Sequence, residues 1–216
     1  MTSANSRHQA AYQTILNLLL SHRLKPGQII TQKELIDLVG MTLSPIRLAL
    51  ARLETEGFVT ILPQHGVKLV EPSLDLFKNL LQIRITIEKE AWARFAMSAP
   101  VEKFDEMIAI HEGFAKEVEG QLTPEILDNV SLYDKNMHTM VVESMGNNRL
   151  TEMFRVLNHT IYFLRDDKGN LRPTTIRNVV TVHLEILYLA KERDLQRLAD
   201  VVERHILNAT RVLLAV

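Results

Sequence analysis

The chain of 216 residues contains no cysteine. Disulfides, thiolate nucleophiles and thiolate metal sites are excluded together, so any tight metal site must be built from imidazole and carboxylate. No stretch approaches the roughly 18 apolar residues that a membrane span needs, and the opening residues MTSANSRHQA lack the apolar core of a signal peptide. The expectation is a cytoplasmic protein with no membrane partner. Net charge is also scarce, at -1, and no internal repeat or low-complexity segment is evident. What remains is ordinary globular composition, 46% hydrophobic and 24% charged, in a chain long enough for one sizeable core or two modest ones.

The small net charge hides an asymmetry. Residues 1 to 70 carry seven Lys/Arg against four Asp/Glu, and the remainder carries eighteen against twenty-two. A basic module joined to a larger acidic one fits a nucleic-acid-binding head on a different kind of body.

In the basic part, Tyr12, Ile15, Leu16 and Leu19 recur at i, i+3, i+4, i+7 and predict an amphipathic helix, closed by the turn at Lys25 to Gly27. Thr31 and Glu34 form a capping box that opens a short helix running to Gly40. Ser44 is placed as the N-cap of a third helix with Pro45 in its first position, and Ile46, Ala49, Leu50 and Leu53 share one face before Gly57. Two short helices joined by a tight turn make a helix-turn-helix. FVTIL, a PQHG turn and VKLV then predict a β-hairpin, the wing of a winged helix. The third helix buries its apolar stripe, which leaves Thr42, Ser44, Arg47 and Ala51 near the side that meets a major groove. A winged helix used for protein contacts is the alternative.

ITQKELIDLVGMTLSPIRLALARLETEGFVTILPQHGVKLV is similar over its whole length to the winged-helix domain of GntR-type bacterial transcription regulators. The shared marks are the xLxxxxG turn, the Ser/Thr-Pro-aliphatic-Arg start of the recognition helix, the RLExEGxV exit and the xxHG wing. The resemblance implies phosphate or base-edge contacts from Lys33, Thr42, Ser44 and Arg47, and a wing tip at His65 and Gly66 near the minor groove. Leu43 stands where many members carry a base-reading Arg. Leu48 and Ala51 replace a usual Glu and a frequent Arg.

Glu71-Pro72-Ser73 reads as a linker between a head over residues 1–72 and a body over residues 73–216. Breaks at SAP (98 to 100), GQLTP (120 to 124), GNN (146 to 148), DKGNLRP (167 to 173) and ERD (192 to 194) divide the body into six helices. The predicted fold is mainly α, a winged helix-turn-helix followed by an all-α bundle.

Asp134 and His138 face one side of a helix at i, i+4, a spacing that suits a metal and equally suits a surface ion pair. His183 lies ten residues before the last helical turn, near Arg193, and His205 twelve after it, so antiparallel helices place both at similar height. Each is also embedded in an apolar face, where a core histidine is the alternative. Together the four form a three-His, one-carboxylate set typical of Zn, Ni, Mn or Fe.

The body also resembles the FCD effector domain that follows GntR winged helices. The match covers LQIRITIEKEA (family pattern R-x-x-L-E) and YDKNMHTMVVESMGNNRL (D-x3-H, then G-N-x-R-L), with single histidines in the last two helices. Six helices look like the shorter subgroup. The resemblance implies a divalent metal on the Asp and three His, with small carboxylates bound beside it. Arg84 matches the family's Arg on the first effector helix; it either pairs with a ligand carboxylate or with Glu88 at i+4. Arg165 and His159 are further pocket candidates, while His111 and His8 read as surface. Arg193-Asp194 stands where members often read Gly-Asp, a difference taken as harmless in a surface turn.

The function expected is a homodimeric regulator that reads a pseudo-palindromic operator and responds to a small organic acid. The competing expectation is a metal-dependent hydrolytic enzyme, for which an open coordination position would activate water. It has no HExxH motif, no Glu-x-x-His and no evident extra carboxylate to act as base.

Overall fold

A computed structural model describes the backbone of residues 2–164 and 173–213, with side chains over 6–164 and 175–208. The chain divides into two compact units, residues 1–73 with 159–165, and residues 74–158 with 166–216.

The first unit contains α1 (Thr2–Leu20), β1 (Ile29–Ile30), α2 (Gln32–Val39), α3 (Leu43–Thr55), β2 (Val59–Leu62) and β3 (Gly66–Leu69). The stripe of Tyr12, Ile15, Leu16 and Leu19 on α1 is buried, as are Ile46, Ala49, Leu50 and Leu53 on α3, and the two helices pack together. A polar clamp edges that contact. Tyr12 Oη donates to Glu56 at 2.7 Å, Arg52 Nε donates to the other Glu56 oxygen at 2.8 Å, and the Arg52 guanidinium lies 3.7 Å from the centre of the Tyr12 ring.

The capping box on α2 forms as expected. The Thr31 side chain accepts from Glu34 N at 3.2 Å, and Thr31 N donates to Glu34 Oε2 at 2.8 Å. Gly40 closes α2 in the left-handed region at φ 69. The start of α3 differs from expectation. Its N-cap is Thr42, in extended geometry and without a side-chain cap bond, so Ser44 lies inside the first turn and Pro45 at the third position. Both Ser44 and Pro45 tolerate the shift, because N–H groups of a first turn lack intrahelical partners in any case.

β2 and β3 form the expected hairpin, with Val59 opposite Leu69 and Leu62 opposite Gly66. β1 adds to the far side of β3, giving the order β1-β3-β2. Two residues are too short for a period-2 pattern, so this strand was invisible in the sequence. It explains Gly66. With φ at 101, a Cβ there would stand 2.4 Å from the carbonyl oxygen of Ile30 on β1.

The second unit contains α4 (Leu74–Ser98), α5 (Val101–Glu119), α6 (Pro124–Glu143), the start of α7 (Asn148–Leu164), α8 (Pro173–Glu192) and α9 (Leu195–Leu213). The breaks predicted at 98 to 100, 120 to 124, 146 to 148 and 192 to 194 fall between these helices, while the one at 167 to 173 lies almost wholly outside the described residues. α4 packs on α9 and on α6, α5 packs on α8, and α8 and α9 form an antiparallel hairpin. Trp92, Phe95 and Phe104 meet edge to face in the core. The hairpin turns through Arg193 at φ 60, in the left-handed region that favours glycine. Asp194 then caps α9, its carboxylate accepting from Arg197 N at 3.2 Å. Among the described residues no helix is long and apolar enough to cross a membrane.

Candidate functional sites

Four side chains converge inside the second unit. α6 supplies Asp134 and His138 one turn apart, α8 supplies His183 and α9 supplies His205. His183 Nε2 lies 3.1 Å from His205 Nε2 and 3.2 Å from Asp134 Oδ1. His138 Nε2 lies 3.3 Å from His205 Nε2 and 3.5 Å from Asp134 Oδ1. One donor atom from each residue lies within 4.8 Å of all the others. Ligands about 2.1 Å from one ion stand about 3.0 Å apart at right angles and about 3.4 Å apart in a tetrahedron, so the spacing fits a single divalent cation. Four lone-pair donors this close repel unless a cation or protons sit among them.

The next layer fixes the ring that faces this point. Glu88 on α4 is fully buried and uses both oxygens: Oε2 accepts from His138 Nδ1 at 2.5 Å, and Oε1 accepts from Arg84 Nε at 2.5 Å. With its Nδ1 donating to Glu88, His138 turns Nε2 toward the cluster, and loss of the Nε2 proton would leave a lone pair there in the carboxylate–histidine arrangement that orients metal ligands. The salt bridge between Arg84 and Glu88 therefore exists, yet it occupies only Nε. Both Nη atoms of Arg84 are without hydrogen-bond partners among the described residues, on a guanidinium whose charge also acts on Asp134.

Burial works against every charge here, and neighbours decide the outcome. Burial lowers the His138 pKa, but the Glu88 carboxylate outweighs it and holds the group up at about 9. Burial raises Glu88, and Arg84 with His138 override it, holding the acid at about 2. Burial also raises Asp134, and its hydrogen bond to His138 and the imidazole charges pull it well down. His183 and His205 go the other way. Burial first, then the neighbouring imidazole, keeps His183 well below its ordinary value and His205 at about 3. Both are neutral at pH 7, the form in which histidine ligates.

His111 corrects the sequence reading. It is 1% exposed, its Nδ1 donates to Met107 O at 2.8 Å, and its ring stands edge-on to His183 and Tyr133, 5.4 and 5.1 Å between centroids. The signal was available: Phe104, Met107, Ile108 and His111 fall at i, i+3, i+4, i+7, and all four are buried. His8, also read as surface, is partly buried on α1. His159 lies on the part of α7 that groups with the first unit, and Arg165 lies outside the described residues.

On the first unit the residues assigned to DNA are exposed, with one exception. Lys33, Thr42, Ser44, Arg47 and His65 face solvent, whereas Gly66 is buried against β1. Gly66 thus has a backbone reason to be glycine that is independent of any groove.

Comparison with known proteins adds identity to this geometry. A model of the FCD domain matches residues 79–208, and a model of bacterial regulatory proteins of the gntR family matches residues 7–69. The chain is 28% identical over 141 residues to an HTH-type transcriptional regulator from the TAR-I ttuE-ttuC' intergenic region of Agrobacterium vitis, covering 65% of this chain and 81% of the relative. It is 26% identical over 150 residues to the Nta operon transcriptional regulator of Aminobacter aminovorans, covering 68% of each. Among solved structures, McbR/YncC of E. coli matches with a TM-score of 0.76 at 19% identity, covering 100% of this chain and 99% of that one. A GntR-type regulator from Rhodococcus sp. RHA1 matches at 0.73 and 15%, covering 98% and 99%. At such identities the structures speak to fold alone.

Proposed function

Because the chain belongs to the gntR family of bacterial regulatory proteins and carries an FCD domain, we propose that it answers to a small carboxylate held at a divalent metal in the bundle. The chain is a DNA-binding transcription regulator. The hydrolytic-enzyme reading is set aside, since the family and the relatives are transcriptional regulators.

The observation that carries the proposal is the convergence of Asp134 Oδ1 and three imidazole Nε2 atoms within 4.8 Å. Asp134, His138, His183 and His205 would hold Zn, Ni, Mn or Fe, and such an ion supplies open coordination positions to a carboxylate. Glu88 keeps His138 in the ligating tautomer. Arg84, anchored to Glu88 through Nε, offers its two Nη donors to a carboxylate as a bidentate pair. Asp134, at 29% side-chain exposure, and His205 are the partly exposed members of the set. We assign DNA contact to Lys33, Thr42, Ser44, Arg47 and His65, and take the working form to be a homodimer on two half-sites related by a two-fold axis.

The test is calorimetric titration of a panel of mono-, di- and tricarboxylic acids into metal-loaded protein, with and without operator DNA. An acid that binds is expected to shift operator affinity by roughly 5 to 150-fold, and operator to shift acid affinity by the same factor. An acid that binds equally with DNA present, or binds undiminished to metal-stripped Asp134→Ala, defeats the mechanism.

A further inference from the structure

The solvent face of α3 has an unusual distribution of chemistry. Ser44, Arg47, Leu48, Ala51 and Thr55 fall at i, i+3, i+4, i+7 and i+11 and are all exposed, opposite the buried Ile46, Ala49, Leu50 and Leu53. Of the two arginines on this helix, Arg52 is committed to Glu56, Gln9 and the Tyr12 ring. Arg47 has no partner among the described residues. The stripe therefore presents one free cation. Beside it Leu48 is 50% exposed, and Ala51 extends the apolar strip by one turn.

Guanine is read in the major groove by paired donors, for which Arg is the usual source, whereas thymine offers a 5-methyl group that takes apolar contact. One free Arg limits this helix to one such guanine contact per half-site. A half-exposed Leu alone needs no explanation. Next to the only free cation on a helix whose opposite face is the core, it has a definite use. We propose that Leu48, supported by Ala51, is a specificity-determining residue that reads thymine methyl groups, so that each operator half-site carries thymine beside the guanine contacted by Arg47. This rests on α3 being the recognition helix, and the experiment separates the two claims.

Duplexes are selected from a randomised library with the full-length protein and resynthesised with each selected thymine replaced in turn by deoxyuridine, which removes only the methyl group. For at least one position per half-site, the wild type is expected to lose about fourfold in affinity, the value of one buried methyl. Leu48→Ala is expected to bind the thymine duplex more weakly by a similar factor and no longer to distinguish it from the deoxyuridine duplex. The substitution leaves the fold intact, since the side chain is exposed and Ala favours helix. Leu48→Arg, selected afresh, is expected to replace thymine by guanine at that position. The proposal is overturned if no thymine is methyl-sensitive, or if Leu48→Ala keeps the full methyl effect. Arg47→Ala on the same duplexes tells the failures apart. If it leaves affinity and salt dependence unchanged, α3 is not the reading helix and both claims fall; if it weakens binding while deoxyuridine does not, only the thymine reading falls.

Discussion

The two units place their chemistry in opposite environments. On α3 the residues assigned to DNA stand in solvent, and Arg47 has no bonding partner among the described residues, so nothing described in the fold constrains its identity. In the bundle, Asp134, His138, His183 and His205 lie against one another, and His138 is held from behind by Glu88, which also bonds Arg84. There each side chain is constrained by its neighbours. A substitution on the first surface should change what is bound while sparing stability; a substitution in the second should change both at once.

Glu88→Ala gives the largest expected separation. It leaves a buried guanidinium and a buried imidazole without their carboxylate, which costs about 3 to 5 kcal/mol, whereas Arg47→Ala, on an exposed helix face, is expected to stay within about 0.5 kcal/mol. Urea denaturation of both variants checks this. Equal effects would erase the contrast between the units.

Metal loading comes next. Purified protein is expected to carry close to one divalent ion per chain, with His183→Ala and His205→Ala each lowering the content. At a free metal concentration of about a hundred times Kd, mass action stabilises the native state by about 2.7 kcal/mol. A melting temperature unmoved by chelation would mean that the three histidines are structural.

Arg47→Ala should cost about 1 to 3 kcal/mol of operator binding if it reads a base, or reduce the salt slope by about one if it contacts phosphate. Metal content should be unaffected. Fluorescence anisotropy across a salt series, paired with metal analysis, tests both halves of that statement.

A pH series sharpens the comparison further. In the metal-free protein the His138 pKa is raised to about 9 by Glu88, so its charged form stabilises the fold fully below the ordinary histidine value of about 6.5. That contribution is lost as pH rises through the folded value. A ligating histidine is neutral, so metal uptake at pH 7.5 is expected to release about one proton per chain. Affinity should then rise about tenfold per pH unit between about 6.5 and 9. Calorimetry in buffers of different ionisation enthalpy reads the proton count; zero would mean that His138 is already neutral.

The smallest effect is expected at Arg193. Left-handed backbone costs a non-glycine residue about 1 kcal/mol or more, and the greater unfolded-state freedom of glycine offsets part of the gain. Arg193→Gly should therefore stabilise the protein by a few tenths to about 1 kcal/mol in urea denaturation, with operator and metal binding unchanged. The Arg in place of the family's Gly is tolerated in this turn but has a backbone cost, which only the φ of 60 revealed.

Much of the architecture was legible because it is written in local patterns. The capping box at Thr31 and Glu34, the period change after Gly57 and the helix breaks at 98 to 100, 120 to 124, 146 to 148 and 192 to 194 each depend on residues a few positions apart, where backbone chemistry acts directly. The antiparallel hairpin even set His183 opposite His205, since a fixed rise per residue makes heights calculable. Tertiary structure decided the rest. β1 exists because β3 offers it a partner, and Gly66 is glycine because Ile30 comes close. His111 turned inward with its helix stripe. The sequence posed a choice for Arg84 between Glu88 and a ligand, and the fold bonds Glu88 through Nε alone, leaving both Nη atoms without hydrogen-bond partners among the described residues. Local sequence determines where helices start and stop. Which lone pair of a buried ring faces its neighbours depends on what another helix brings against its far side, and that is a property of packing.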